Sequence, residues 1–448
     1  MYNNGDNIVA LASAPGLSAV NLIRCSGPDT INIIKKFLPA KHKKIKPNYC
    51  HYVSLVSPRN KKIIDQCIVA CYFSPKSYTG QNIVEISTHG GPIIYKLVIK
   101  ELVDAGCRIA EPGEFTFRAF SNGKMDLIQA ESISNIINGE SGINTEFSVK
   151  NLAGALSEEI KKIISELKSL ITYVEHELDF NEDEITHKKK EYYIARIKKI
   201  LKKIKKIKEG SFVSKNKGAD YLISIIGKPN AGKSSLFNLL VGHERSIVTN
   251  ISGTTRDTVD VFLNISGLSV KIVDTAGLRN TKNEIETQGI KRTLKAVEKS
   301  NCIVVVDEEK PKEIMKNFNL TLSGQDLIFI KNKIDLGGKS NESDIINTSC
   351  KEKTGINSLL THLSTLIEKH KDSFLRDNSY IVSKRVLGLL TGLEKNMEKA
   401  LYVALNENEL AIMVSFLRSS LESFNVVGEG FNKNEIINSI FKDFCVGK

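Results

Sequence analysis

The stretch Tyr221–Ser235, YLISIIGKPNAGKSS, decides the fold of the segment that carries it. YLISIIG is an almost wholly apolar run ending in glycine, the pattern of a strand buried on both faces. Gly227–Ser234 then fits GxxxxGK[ST], and SLFNLL opens a helix. Strand, glycine loop and helix in that order make a phosphate cradle. Its backbone N–H groups curl around phosphates, Lys233 reaches the terminal phosphates, and Ser234 can ligate Mg2+. Asn230, Ala231, Gly232, Lys233, Ser234 and Ser235 are the expected contact positions.

Downstream, three companions follow on the same rhythm. Asp274-Thr275-Ala276-Gly277 ends the apolar run SVKIV, where Asp274 can hold the metal shell and the Gly277 amide can sense a γ-phosphate. Asn332-Lys333-Ile334-Asp335 ends DLIFIK; a carboxylate there can accept from the N1–H and 2-amino group of guanine, donors that adenine lacks. Ser349-Cys350-Lys351 ends the last strand and can support the base. Between the first two motifs lies the polar loop Gly253-Thr254-Thr255-Arg256-Asp257, able to place Thr255 on Mg2+, and Thr249, Asn250, Ile251 and Ser252 just before it are further expected nucleotide contacts. Together these specify a GTPase. The residue after DTAG is Leu278, which cannot orient water as the glutamine of Ras-like enzymes does. Glu286 is a candidate for that role, against its plainer reading as a surface acid.

Outward from this core, strands and helices alternate from about Asp220 to Lys371, the rhythm of a parallel sheet with crossover helices. Residues 1–120 show short apolar runs between turn signals, with a helix-like segment at Pro92–Ala105, and read as an α+β domain. From about Leu127 the pattern is helical: Ile160, Ile163, Leu167, Leu170 and Val174 fall at helical spacing, as do Ile197, Leu201 and Ile204 in a lysine-rich stretch. Those lysines read as the solvated face of an amphipathic helix, with RNA contact the alternative. After Asp372 the chain reads as helical to its end. The expected domains are thus 1–120, a helical domain split into 121–216 and 372–448, and an inserted α/β domain at 217–371.

Composition agrees with a multidomain globular chain. At 448 residues it allows two to four domains of ~100–200 residues, and 41% hydrophobic with 25% charged excludes a wholly disordered or collagen-like chain. No run approaches the ~18 apolar residues of a membrane span. The uncharged run Asn7–Ile23 lacks a basic start and is broken by Pro15-Gly16, so it reads as strand–turn–strand and not as a signal peptide. A cytosolic location is expected. The net charge of +12 allows an acidic or nucleic-acid partner, but lysine, isoleucine and asparagine are over-used throughout. Eight cysteines form no CxxC pair. Cys67 and Cys71 on one strand would stand ~13 Å apart, too far to share a metal. Cys25, Cys50, Cys107, Cys302 and Cys350 read as buried thiols, and Cys445 stands in a polar tail.

With these motifs in view, the chain resembles the MnmE (TrmE) family of bacterial tRNA-modification GTPases, within the TrmE-Era-EngA-like translation-factor class. The likeness covers essentially the whole chain. It rests also on SYTGQNIVEISTHGGP (77–92), PGEFTFRAFSNGKMDLIQAE (112–131) and the tail Phe444-Cys445-Val446-Gly447-Lys448. The resemblance implies an N-terminal folate-binding domain that dimerises, a discontinuous helical domain and an inserted Ras-like G domain. It implies GTP hydrolysis coupled to aminomethyl-type modification of the wobble uridine of certain tRNAs, with the flavoprotein MnmG (GidA) as partner in a heterotetramer. A tetrahydrofolate such as 5-formyl-tetrahydrofolate would supply the one-carbon unit. By the same resemblance Asn230, Thr249, Ile251 and Thr254 would ligate K+, and Glu286 would orient water. Arg24, Glu85, Lys124 and Lys448 would contact folate, and Cys445 would be catalytic.

The sequence departs from the family pattern at Leu17-Ser18-Ala19, at Gln81-Asn82 and at Val446, none of them in the nucleotide motifs. A GTP-dependent ribosome-assembly factor would carry the same nucleotide motifs with no need of Arg24, Glu85, Lys124 or Cys445.

Overall fold

The computed structural model describes residues 5–42, 44–139, 141–179, 190–213, 220–243, 261–274, 297–317, 324–406, 409–425, 441, 444 and 447. Its fold is mixed α/β, and the chain divides into two compact units. One comprises Met1–Ser134, Val149–Lys208 and Ser383–Lys448; the other comprises Asn135–Ser148 and Glu209–Val382.

In the first unit, six strands form a sheet: β1 (Ile8–Leu11), β2 (Val20–Ser26), β3 (Cys50–Val56), β4 (Ile63–Tyr72), β5 (Ile83–His89) and β6 (Arg108–Ile109), in the order β3-β4-β5-β2-β1-β6. All pairs are antiparallel except β1 with β6. Val9, Ile23, Val53, Leu55, Val69, Val84 and Ile86 build the core with Phe37, Val98 and Leu102. The helix expected at Pro92–Ala105 spans Ile94–Asp104.

Cys67 and Cys71 are buried on β4, and burial pushes both thiols up to about 12. Cys25, Cys107 and Cys302 are buried as expected, and Cys350 is half-buried. Cys50 is a correction: it is exposed, because it opens β3, the edge strand of the sheet, which has β4 on one side and no strand of this sheet on the other.

Long amphipathic helices complete this unit: Ala155–Asp179, Lys190–Glu209, Lys384–Asn406 and Leu410–Asn425. Ile160, Ile163, Leu167, Leu170 and Val174 on the first are all buried, so the helical period read from sequence is the packing face.

The second unit is built on β8 (Tyr221–Gly227), after the short β7 (Ser211–Val213), then β9 (Val261–Ile265), β10 (Leu268–Asp274), β11 (Cys302–Asp307), β12 (Asp326–Lys331) and β13 (Ile345–Asn347). The sheet order is β13-β12-β11-β8-β10-β9, parallel throughout except β9. One face packs Ile223, Ile225, Val304 and Ile330 against Leu236 and Leu240 of helix Lys233–His243 and Leu359, Leu363 and Ile367 of helix Ile356–Asp377. The other packs Ile226, Ile303 and Val305 with Val297 and Ile314. Cover on both faces is why β8 and β11 read as unbroken apolar runs.

Two features depart from the sequence reading. β9 turns into β10 through Ser266–Gly267, both at positive φ, a hairpin geometry that suits strand twist. The C-terminal region is not purely helical: Tyr380–Val382 is a strand, β14, pairing in parallel with β7. Three residues carry no readable period, and this pair is fixed by tertiary contacts. Phe212 of β7 stacks edge-on against Phe147 and Phe374 at 5.1 and 4.9 Å. Beside it the Asp220 carboxylate accepts from the Gly142 and Ser269 amides, each at 2.9 Å.

Candidate functional site

The phosphate loop leaves the C-terminal end of β8 and enters helix Lys233–His243 at its N-terminus, where the helix dipole and the first-turn N–H groups favour an anion. Asn230 holds a positive φ of 64° and Gly232 one of 92°. A Cβ on Gly232 would stand 2.1 Å from Nδ2 of Asn332, so glycine is required by approach as well as by φ. The Lys233 ammonium is buried and donates to the carbonyls of Gly227 and Lys228 at 3.0 and 2.6 Å. It therefore lies folded over the loop it would close around a phosphate. Ser234 and Ser235 are exposed in the first turn of the helix.

Sequence reading did not foresee how the base-side motif joins this loop. The side-chain amide of Asn332 donates to the Ala231 carbonyl at 2.9 Å. Its oxygen accepts from the Thr348 hydroxyl at 3.2 Å and the Cys350 amide at 3.3 Å. One buried side chain thus ties together the loop after β8, the end of β12 and the turn after β13. A second link runs between the same two motifs: the Ser349 hydroxyl donates to Asp335 Oδ1 at 2.6 Å. That bond, helped by Lys351 and Lys333 nearby, holds the Asp335 carboxyl below the usual carboxylate range. Lys333 takes a positive φ of 59° and its ammonium pairs with Glu308 at 2.5 Å. The result is an ionised, fixed acceptor with oxygen lone pairs to spare.

Asp274 is the last residue of β10, in register with Ile225 of β8, so its backbone sits at the same sheet end as the phosphate loop. Thr249, Asn250, Ile251, Ser252, Gly253, Thr254, Thr255, Thr275, Ala276, Gly277 and Glu286 lie outside the described residues.

In the other unit, Arg24 of β2 and Glu85 of β5 are register partners. The Arg24 Nε and a terminal nitrogen both reach Glu85 Oε1 at 2.8 Å. The remaining terminal nitrogen donates to the Gly447 carbonyl at 3.3 Å, and the rings of Tyr78 and Phe115 lie 5.8 and 5.9 Å from the guanidinium carbon. Phe441 and Phe444 are buried with Leu127, Ala130 and Ile133. The chain end therefore docks beside Arg24. Gly447 comes so close that a Cβ would stand 2.4 Å from the Leu11 carbonyl oxygen. Cys445 and Lys448 themselves lie outside the described residues. Lys124 is exposed, its stem beside Gly80.

Gln81 and Asn82, the departures from the family pattern, have structural duties. Gln81 Oε1 accepts from Arg118 at 2.9 Å, and Asn82 Oδ1 accepts from the Ser74 amide at 3.0 Å. Arg118 and Glu114 are both fully buried, 2.9 Å apart, and Arg108 adds two contacts to Glu114 at 2.7 and 2.8 Å. Burial pushes the Glu114 carboxyl up. The Arg108 hydrogen bonds, with those from the Glu111 amide and Arg118, outweigh it and hold the group net below its ordinary range.

Among the described residues no cluster of three or more His, Cys, Asp or Glu side chains could hold a metal, and no helix is long and apolar enough to cross a membrane.

Comparison with known proteins fits this architecture. The family model described as the N-terminus of the GTP-binding protein TrmE matches residues 7–124, and the MnmE helical domain matches 127–445. The tRNA modification GTPase MnmE of Thermoanaerobacter sp. (strain X514) is 32% identical over 99% of this chain and 99% of its own. The protein of the same name from Aquifex aeolicus (strain VF5) is 34% identical over 98% and 99%. That of Francisella tularensis subsp. holarctica (strain OSU18) is 35% identical over 100% of both chains. The chain belongs to the MnmE (TrmE) family, whose relatives named here are tRNA modification GTPases.

Proposed function

We propose that the chain is a guanine-specific GTP hydrolase whose turnover supports modification of the wobble uridine of certain tRNAs, with a tetrahydrofolate as one-carbon source and MnmG as partner. The observation that carries the nucleotide part is the Asn332 and Ser349–Asp335 linkage, which sets an ionised carboxylate beside a phosphate loop. Guanine offers that carboxylate two N–H donors; adenine offers none in that place. Asn230, Ala231, Gly232, Lys233, Ser234 and Ser235 hold the phosphates, and residues 249–255 and 275–277 are the further nucleotide contacts that the family resemblance assigns.

The donor set suits hard cations: hydroxyls of Ser234 and Thr255 for Mg2+, and oxygens of Asn230, Thr249, Ile251 and Thr254 for K+. Bound there, these ions would offset charge developing between the β- and γ-phosphates. Glu286 orients water, in place of the glutamine that Leu278 displaces. The domain boundaries proposed are 1–120, 121–216, 217–371 and 372–448, the first domain dimerising.

Arg24, Glu85, Lys124 and Lys448 form the folate site, supported by the Arg24–Glu85 pair and its two flanking rings, a polar spot on an aromatic rim suited to a flat heterocycle with N–H donors. Cys445 is the candidate thiol, supported by the docking of Phe444 and Gly447 on either side of it. Steady-state hydrolysis of GTP and of ATP by the purified chain tests the reading: GTP alone should turn over, and equal rates would overturn it.

A further inference from the structure

Helix Lys190–Glu209 carries nine Lys and Arg residues against Glu191 and Glu209, and its lysines divide into distinct rows. Tyr193, Ile197, Ile200, Leu201, Ile204 and Ile207 are buried. On one flank Lys199 and Lys203 reach Glu166 of helix Ala155–Asp179 at 2.9 and 3.0 Å. On the other, Lys205 reaches Glu398 at 3.1 Å and Glu394 at 3.7 Å, and Lys208 pairs with Glu394, both on helix Lys384–Asn406. Along the crest between these flanks run Lys198, Lys202 and Lys206, all exposed. None has a carboxylate within ion-pair reach among the described residues. Four residues of helix rise separate neighbours by ~6 Å, so the row is ~12 Å long.

We propose that Lys198, Lys202 and Lys206 form a contact row for the phosphate backbone of RNA, the tRNA on which this chain acts. The proposal rests on the tRNA reading given above. The flanking lysines are neutralised from both sides, while the crest keeps two like-charged i, i+4 pairs, Lys198–Lys202 and Lys202–Lys206, whose members repel each other. A solvated bundle face has no need of that repulsion; a polyanion laid along the crest removes it and releases its own counterions. A membrane surface fits less well, because a membrane-binding face interleaves large apolar side chains with its lysines. Here the crest position one turn before Lys198 is Ala195. Phosphate contacts of this kind position RNA and carry no sequence preference.

The test is binding of fluorescently labelled tRNA to the full-length protein by anisotropy over a range of KCl concentrations. The triple variant Lys198→Gln/Lys202→Gln/Lys206→Gln keeps good helix formers at exposed positions, and its circular dichroism melt checks folding. The variant Lys96→Gln/Lys100→Gln removes two other exposed lysines at the same spacing and serves as a charge control. The triple variant should bind at least about tenfold more weakly at 0.1 M salt, and its slope of log K against log salt should fall by roughly 2–3. The control should lie close to wild type. Equal affinity and slope for the folded triple variant and wild type would overturn the contact row and leave the tRNA reading intact. So would an equal loss in the charge control. No binding by the wild type at any salt would overturn the tRNA reading, and the row with it.

Discussion

The side-chain amide of Asn332 donates to the Ala231 carbonyl at 2.9 Å, so the residue that opens the base motif also fixes the phosphate loop. Gly232 leaves the room for this contact. Gly232→Ala would add a Cβ 2.1 Å from that amide, at a φ of 92° that alanine resists. Strain of about 1–3 kcal/mol is expected, with GTP affinity down roughly tenfold or more. Isothermal titration checks this; wild-type affinity would mean the loop relaxes without loss.

Asp335→Asn replaces an acceptor held by Ser349 with an amide. The charge-assisted hydrogen bonds from the base would be lost, so GTP should bind roughly 10²-fold or more weakly. Xanthosine triphosphate, whose 2-oxo group accepts from an amide, should gain. Competition binding with both nucleotides reads the exchange, and unchanged GTP affinity rejects the base assignment.

Cation choice should appear in turnover. K+ should raise GTP hydrolysis over Na+ by up to roughly 10²-fold, because Na+ is too small for the same oxygen cage. Asn230→Ala should erase the difference. Equal initial rates of phosphate release in both salts would point to an arginine instead.

Glu114 should govern part of the acid stability of the N-terminal sheet. Its folded pKa lies below the unfolded value near 4.3, so its contribution is present above that pH and is lost as pH falls through the folded value. Glu114→Gln should destabilise at neutral pH by about 3–5 kcal/mol, since Arg118 and Arg108 stay behind without their carboxylate. It should also flatten the loss of stability below pH 4.5 or so. Melts followed by circular dichroism across pH 3–7 measure both; parallel curves for wild type and variant would refute the linkage.

The phosphate loop and the Asn332–Asp335 motif were legible because each follows the end of a strand, and strands buried on both faces, such as β8 and β11, announce themselves as apolar runs. The long helices were legible for the same kind of reason, since Ile160 to Val174 and Ile197 to Ile204 repeat at helical spacing. What escaped was non-local. β14 is three residues long and exists only because β7 lies beside it, 167 or more residues earlier in the chain. Cys50 was misread because nothing in its neighbours says that β3 is an edge strand. The hold of Asn332 on Ala231, across 101 residues, and the docking of Gly447 on Arg24, across 423, leave no local trace at all.

Under the function proposed above, GTP turnover by this chain supports modification of the tRNA wobble uridine. Mass-spectrometric analysis of the nucleosides in bulk tRNA from a strain lacking the gene tests it most directly. The aminomethyl-type uridine should be absent from that strain, return with the wild-type gene, and stay absent with Glu286→Ala or Cys445→Ser. Normal levels of the modified uridine in the strain without the gene would contradict a role for this chain in that modification.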